Sequence, residues 1–364
     1  MIALAIALLT GSFAISAVLT AVVKRMALRA NFVSRPASDR YQPEKQRIVP
    51  LGGGIAISAT LLIIILSAMA FVKFLIDPGH LGWIAKRANV NAADFLARSS
   101  ELLVIVACVV ALFAVGLWDD KKHLGPLFKL AVQFAVAIAA AAFAEIRVEL
   151  FIENTLISSL LSAFWIVLII NSFNFLDNMD GASAGIAAIV SSILFVAAAF
   201  SDQVFVGGMA LVFIGTLVGF LVFNFPPAKI FMGDAGSLVV GFFVALLTLR
   251  TTYYHRAHSE WYTVFMPLIV MAVPLYDFIS VTLLRISQGK SPFVGDTQHF
   301  SHRLKRHGLT DTQTALTLYL ATLCTGLGAT FLYQVDLVGT VLIFAQTILV
   351  LSIIAVFEMT SKRF

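Results

Sequence analysis

Residues 156–181 read LISSLLSAFWIVLIINSFNFLDNMDG. Positions 156–173 carry no charge, and an apolar run of that length is what a helix needs to cross a bilayer core of about 30 Å. The end of the stretch is different. Asn171, Asn174 and Asp177 recur every third residue, so they share one face of the last turns, and Asp180 follows before a glycine. Asn and Asp also cap helices, and Asp180 alone could serve only to start the next one. Capping does not account for two Asn and two Asp together on an otherwise apolar helix. Ionisable groups at a membrane edge are costly and by default functional.

The same alternation of long apolar runs and short polar breaks fills the rest of the chain. Of its 364 residues, 60% are hydrophobic and 12% charged, against about 25% charged in a soluble domain. That composition excludes a soluble globular protein, and it excludes disorder, which needs low hydrophobicity and high charge. Eleven stretches are candidate spans, at about 1–23, 51–72, 102–118, 124–144, 156–173, 181–200, 204–223, 236–250, 262–285, 313–333 and 337–357. None of the breaks is long enough for a soluble domain. The expectation is an all-α, polytopic integral membrane protein, with residues 1–364 forming one transmembrane bundle.

Lys and Arg set the orientation. The first span has its basic residues, Lys24 and Arg25, on its far side, which reads as a retained span with an outside N-terminus rather than a cleaved signal peptide. The odd-numbered connections and the C-terminus then carry about 17 Lys and Arg against about 7 on the opposite side. The positive-inside rule puts the former in the cytoplasm. The net charge of +5 follows from those loops and does not call for nucleic acid. Cys108 and Cys324 lie singly in apolar runs, so neither a disulfide nor a zinc site is expected. Lys129 sits near the end of a span, where it can snorkel.

The polar residues with a purposeful spacing all fall on the cytoplasmic side. They are Asp119 and Asp120 after span 3, Asn171 to Gly181 after span 5, Lys229 and Gly233-Asp234-Ala-Gly236-Ser237 after span 7, and His299, His302 and Arg303 after span 9. Each has a plainer reading: a solvated Asp-Asp-Lys-Lys turn, a turn feeding span 8, or a basic patch on anionic lipid. Jointly, five aspartates on one surface would repel one another unless a cation sat among them. Hard oxygen ligands without thiolates suit Mg²⁺ or Mn²⁺. Carboxylates, a divalent cation and basic side chains at a membrane edge point to phosphoryl transfer between a lipid and a phosphorylated metabolite.

Two membrane phosphotransferase patterns fail. The CDP-alcohol phosphotransferase pattern begins at Asp177-x-x-Asp180-Gly181-x-x-Ala184 but meets Gly185 where Arg is required. The prenyltransferase DDxxD pattern fails at His123. The chain resembles instead the polyprenyl-phosphate N-acetylhexosamine-1-phosphate transferase family over nearly its whole length. Leu51-Gly52-Gly53 resembles that family's P-x-x-G-G. Gly116-Leu-Trp-Asp119-Asp120 resembles G-x-x-D-D, and Gly125-Pro126-Leu-Phe-Lys129 the L-x-P-x-x-K that follows it. Asn171 to Gly181 resembles N-x-x-N-x-x-D-G-x-D-G, and Lys229 to Ser237 resembles K-x-F-M-G-D-x-G-S. Asp296 to Leu304 resembles D-x-x-H-x-H-H-x-L.

The resemblance implies transfer of a HexNAc-1-phosphate, with GlcNAc favoured over the peptidoglycan-type substrate, from a UDP-sugar to an undecaprenyl-type phosphate. UMP leaves, and the product is the sugar-diphospho-polyprenol of a cell-envelope glycan. It implies Asp234 as Mg²⁺ ligand, with Asp177, Asp180 and Asn174 lining the nucleotide-sugar and metal site beside Asn171. Asp119 and Asp120 would position or deprotonate the lipid phosphate, and Lys129 and Lys229 would contact substrate. His299, His302 and Arg303 would neutralise the diphosphate. It also implies a plasma-membrane location with a cytoplasmic site, and it leaves a homodimer open.

Three departures stand out: Asn178 replaces the usual Gly between two aspartates, Ser301 replaces the middle His, and Arg40-Tyr41-Gln42-Pro43 replaces R-K-x-H. Arg40, Lys45 and Arg47 remain as phosphate contacts. A cation-coupled transporter is the alternative, although transporters set ionisable groups near the midplane. A lapsed scaffold of envelope assembly is a third reading.

Overall fold

The computed structural model describes residues 2–34, 48–83, 91–148, 152–251, 261–291 and 299–360. Arg40, Lys45, Arg47 and Asp296 lie outside them, as do Tyr41, Gln42 and Pro43. In chain order the helices are α1 (Ile2–Arg29), α2 (Gly53–Phe71, extended by a π-helical turn Val72–Ile76), α3 (Ala92–Ala97), α4 (Ser99–Lys122) and α5 (Pro126–Phe143). Then come α6 (Thr155–Leu176), α7 (Ala182–Phe200), α8 (Val204–Asn224), α9 (Asp234–Arg250), α10 (Met266–Val270, after a 3₁₀ turn Trp261–Phe265) and α11 (Ala272–Ser287). The last three are α12 (Phe300–Arg306), α13 (Asp311–Thr330) and α14 (Leu337–Thr360).

A helix stands at each stretch expected to span, but not all are built alike. Among the described residues, eight helices are long and apolar enough to cross a membrane, and nine if the pair Trp261–Val270 and Ala272–Ser287, bent by 64°, is one span. Two of the eleven expected spans do not pass that test of length and composition, each for a physical reason. Helix α9 has 17 residues, about 26 Å at the helical rise, and α13 is diluted by Thr, Gly and Gln along its length.

Helix α9 can be short because it is the hub. Every residue from Ala235 to Thr248 is buried, enclosed by α2, α4, α6 and α7. Apolar attraction between helices is weak in lipid, so close packing relies on small residues and polar ties. A Cβ on Gly241 would lie 2.6 Å from Ile170 Cα, so α9 and α6 meet backbone to backbone. On the periphery, Gly215 and Gly219 of α8 receive α1, whose Ser16 hydroxyl donates to Thr216 O at 2.6 Å. Large apolar side chains such as Leu342, Ile348 and Ile353 are exposed on α14, as a lipid-facing surface requires.

Two short strands, β1 (Val33–Ser34) and β2 (Val49–Pro50), pair antiparallel ahead of α2. Immediately after them, Gly53 N–H donates to Phe231 O and Gly54 N–H to Met232 O, both at 2.9 Å, while Phe231 N–H donates to Pro50 O. The segment leading into α2 therefore clasps the segment leading into α9. That clasp fixes the turn carrying Asp234.

Candidate active site

The site is assembled around the first turn of α9. Gly233 adopts φ +73°, a left-handed conformation that favours glycine, and a Cβ there would sit 2.7 Å from Asp120 Oδ2. Asp120, on the last turn of α4, accepts from Asp234 N–H at 2.8 Å and Ala235 N–H at 3.2 Å. It thus caps α9 from another helix, satisfying two of the unpaired donors at a helix start. Glycines allow the approach: a Cβ on Gly116 would lie 2.4 Å from Asp234 O, and one on Gly54 would lie 2.2 Å from Gly236 N.

Lys129 does not snorkel to the membrane edge. Its ammonium turns inward and bridges two carboxylates, Asp119 Oδ2 at 2.9 Å and Asp234 Oδ2 at 2.8 Å. Asp119 is buried and also accepts from Leu124 N–H, which displaces the solvated-turn reading of Asp119-Asp120-Lys121-Lys122. Asn174 completes the set. Its amide donates to Asp234 Oδ1 at 3.0 Å and to Ser237 Oγ at 2.9 Å. Three helix ends and the start of α9 thus place Asp119, Asp120, Lys129, Asn174 and Asp234 in one bonded cluster.

Asp177, the residue that ends α6, joins that cluster electrostatically. Its carboxyl is pushed well above the usual carboxylate range, first by burial and then by the nearby charges of Asp234, Asp120 and Asp180, against a hydrogen bond from Gly233 N–H. Asp180 is not the cap of α7, a place taken by Gly181. It accepts instead from Ala228 N–H at 2.8 Å, holding the segment that follows α8. Nearby, Asn224 accepts from Gly181 N–H and donates to Ile230 O, which ties the same segment to the start of α7.

Two expected residues stand apart. Asn171 donates to Gln133 Oε1 at 2.6 Å and to Val167 O, so it ties α6 to α5 and does not reach Asp234. Lys229 is exposed on the loop next to Ala228.

The histidine segment adjoins the cluster through α6. Phe175 packs edge-on against His299, with ring centres 5.3 Å apart, and lies beneath the Arg285 guanidinium at 4.9 Å. His299 is buried. Its Nδ1 donates to Asp277 Oδ2 at 3.1 Å, and its Nε2 lies 3.4 Å from an Arg285 nitrogen. Asp277 Oδ1 also accepts from Phe300 N–H at 2.7 Å, so one buried carboxylate orients the imidazole and caps α12. The His302 ring centre is 6.5 Å from that of His299. Burial, reinforced by the positive charges of His299, Lys305 and Arg306, pushes His302 down to about 4, so it is neutral at pH 7. Arg303 turns back to α11 and donates to Ser280 Oγ at 2.8 Å.

Asp277 and Arg285 are the residues the sequence reading missed. The signal was present: Asp277 is a lone carboxylate inside the apolar stretch 262–285, the kind of residue a membrane segment retains only for use.

Among the described residues, no group of three or more His, Cys, Asp or Glu is poised to hold a metal ion. The donor chemistry nonetheless suits a hard cation. Mg²⁺ is commonly held by one or two carboxylates with its remaining positions filled by water and substrate oxygens, and one ammonium faces the aspartates gathered here.

Known proteins are similar to this chain over most of its length. The family model for glycosyl transferase family 4 matches residues 102–252, a stretch that contains Asp119, Asp120, Lys129, Asn174, Asp177, Asp180 and Asp234. The chain is 28% identical over 311 residues to the probable undecaprenyl-phosphate N-acetylglucosaminyl 1-phosphate transferase of Bacillus subtilis, covering 83% of this chain and 78% of the relative. It is 26% identical over 314 residues to the undecaprenyl-phosphate alpha-N-acetylglucosaminyl 1-phosphate transferase of Yersinia pestis, covering 82% and 76%. It is 29% identical over 280 residues to the decaprenyl-phosphate N-acetylglucosaminephosphotransferase of Mycobacterium leprae, covering 66% and 70%.

Proposed function

We propose that the chain, which matches the glycosyl transferase family 4 model over residues 102–252, belongs to that family and transfers GlcNAc-1-phosphate from UDP-GlcNAc to a polyprenyl phosphate. A phosphate oxygen of the lipid attacks the sugar-linked phosphorus. The bond from that phosphorus to the bridging oxygen breaks, UMP leaves with that oxygen, and sugar-diphospho-polyprenol remains. The observation that carries this reading is the bridge from Lys129 to Asp119 and Asp234, flanked by Asn174 and by Asp120 on the first turn of α9. It gathers acidic, basic and amide groups at the ends of apolar helices, where a lipid headgroup and a water-soluble nucleotide can meet.

The geometry divides the roles. Both oxygens of Asp120 are committed to backbone N–H groups, which makes it a positioning residue for Asp234. Asp119 faces Lys129, and in this reading it orients or deprotonates the lipid phosphate. The Lys129 ammonium stabilises the negative charge that spreads over the transferring phosphoryl oxygens. Asp234, with Asp177 near enough to feel its charge and Asp180 near Asp177, would hold Mg²⁺, and Mn²⁺ shares that preference for oxygen ligands. The bound ion would draw the diphosphate oxygens together and neutralise them. His299, held by Asp277 and Arg285, would meet the diphosphate with His302 beside it, whereas Arg303, turned to Ser280, would have to swing from α11 to join them.

The eleven apolar stretches, each built as a helix, support eleven spans, and the distribution of Lys and Arg supports an outside N-terminus, a cytoplasmic C-terminus and this site on the cytoplasmic face of the plasma membrane.

The test is incubation of membranes containing the protein with labelled UDP-GlcNAc, undecaprenyl phosphate and Mg²⁺. UMP and a labelled lipid should form together, and chelation by EDTA should stop both until Mg²⁺ is restored. Absence of UMP release across a panel of UDP-HexNAc donors would overturn the reading. Product formation unaffected by EDTA would overturn the metal assignment alone.

A further inference from the structure

The two departures near the aspartates and the histidines are not independent. Asn178 stands between Asp177 and Asp180, and Ser301 stands between His299 and His302, 123 positions along the chain from Asn178. In the structure they touch: the Ser301 hydroxyl donates to Asn178 Oδ1. The Asn178 amide donates in turn to Phe175 O, and the Phe175 ring packs on His299 at 5.3 Å. Ser301 is only 3% exposed, so its hydroxyl depends on protein partners.

We propose that Asn178 and Ser301 work as one positioning unit, setting where His299 and His302 stand relative to Asp177 and Asp180, and hence how the diphosphate of the UDP-sugar is held. Glycine at 178 could make neither side-chain bond and would loosen the turn. An imidazole at 301 would press a ring into the buried space where the Asn178 side chain ends. Exchanging both removes the side chain and fills the vacated volume with the ring. The pair Asn178 and Ser301 is therefore a linked alternative to Gly and His at the same two positions. This inference rests on the transferase reading above.

The experiment is a double-mutant cycle on the purified full-length protein, reading KM for UDP-GlcNAc with polyprenyl phosphate and Mg²⁺. A variant that merely folds poorly lowers the active fraction and kcat but leaves KM in place. Asn178→Gly and Ser301→His should each raise KM about tenfold, about 1.4 kcal/mol, as expected for a buried hydroxyl stripped of its partner. The double variant should return to within about threefold of wild type, since coupled sites are not additive. A single variant with unchanged KM, or a double variant in which the effects multiply to about a hundredfold, would overturn the proposal. If Ser301→His does not accumulate, Ser301→Ala replaces it. Because Asn178→Gly already deletes the one bond that Ser301→Ala removes, their combination should raise KM no further than Asn178→Gly alone, and a multiplied rise overturns the proposal. An inactive wild type overturns the transferase reading and this inference with it, whereas an active wild type with multiplying effects overturns this inference alone.

Discussion

Gly116→Ala adds a single methyl group to α4, and its cost can be worked from the packing. The new Cβ would lie 2.4 Å from Asp234 O and 2.5 Å from Ala235 N and Asp234 C. All three are backbone atoms, so no rotamer change relieves the clash. Ordinary contact begins at 3.4 Å, so α4 and the first turn of α9 must part by about 1.0 Å, the difference between 3.4 and 2.4 Å. That displacement falls on the bonds that build the site: Asp120 to Asp234 N–H at 2.8 Å, Lys129 to Asp234 at 2.8 Å and Asn174 to Asp234 at 3.0 Å. Stretched by such an amount they leave hydrogen-bonding range. A misplacement of about 1 Å costs about a hundredfold in rate, so UMP release per mole of monodisperse, detergent-extracted protein should fall about a hundredfold. Gly11→Ala is the control, because nothing lies within 4 Å of its Cβ, and it should keep wild-type activity. Activity in Gly116→Ala within about threefold of wild type would refute the claim that backbone contact between α4 and α9 sets the Asp234 carboxylate.

Other perturbations probe the remaining parts. Lys129→Met removes the ammonium between Asp119 and Asp234, and turnover should drop by about 10²–10³, the usual cost of one electrostatic donor; a variant with normal turnover would show that Lys129 only balances charge. Asp277→Asn keeps the size of the side chain but replaces an acceptor oxygen near His299 Nδ1 and Phe300 N–H with a donor. Activity should fall by at least about tenfold, up to the roughly 10⁴ seen when a His partner enforces the wrong tautomer, and an unchanged rate would remove Asp277 from the mechanism. The depressed pKa of His302 gives a stability test. The unfolded chain takes up a proton near 6.5 that the folded protein refuses until about 4, so thermal stability is lost as pH falls through that window. His302→Gln should flatten that part of the melting profile, and parallel profiles for the two proteins would contradict the assignment.

How much of this was legible depends on which residues are asked. Helices at the eleven apolar stretches follow from hydropathy alone, because a run such as 156–173 has no other stable environment. Sequence could not show that α9 needs only 17 residues, since that depends on its neighbours enclosing it. Asp119, Asp120, Asn174, Asp177 and Asp234 were legible as costly residues at helix ends. Asn171 shared their spacing and yet bonds Gln133, because a residue one turn earlier on α6 faces α5 at a different depth. Lys129 read as a snorkelling side chain because its neighbours in sequence are apolar, and its two carboxylate partners are brought by other helices. Asp277 carried a signal in its isolation, but its partner His299 lies 22 positions away.

The sequence by itself determined that this chain lives in a membrane and that Asp119, Asp120, Asp177, Asp180 and Asp234 fall at one set of helix ends. Both follow from the free energy of moving apolar and charged groups between water and lipid, which each residue carries wherever it sits. Only the tertiary structure decided which polar groups meet. Lys129 joins Asp119 to Asp234, Asp277 orients His299, and Asn178 reaches Ser301 because glycines such as Gly54, Gly116 and Gly241 let helices distant in sequence approach to backbone contact, and hydrogen bonds act only at that range.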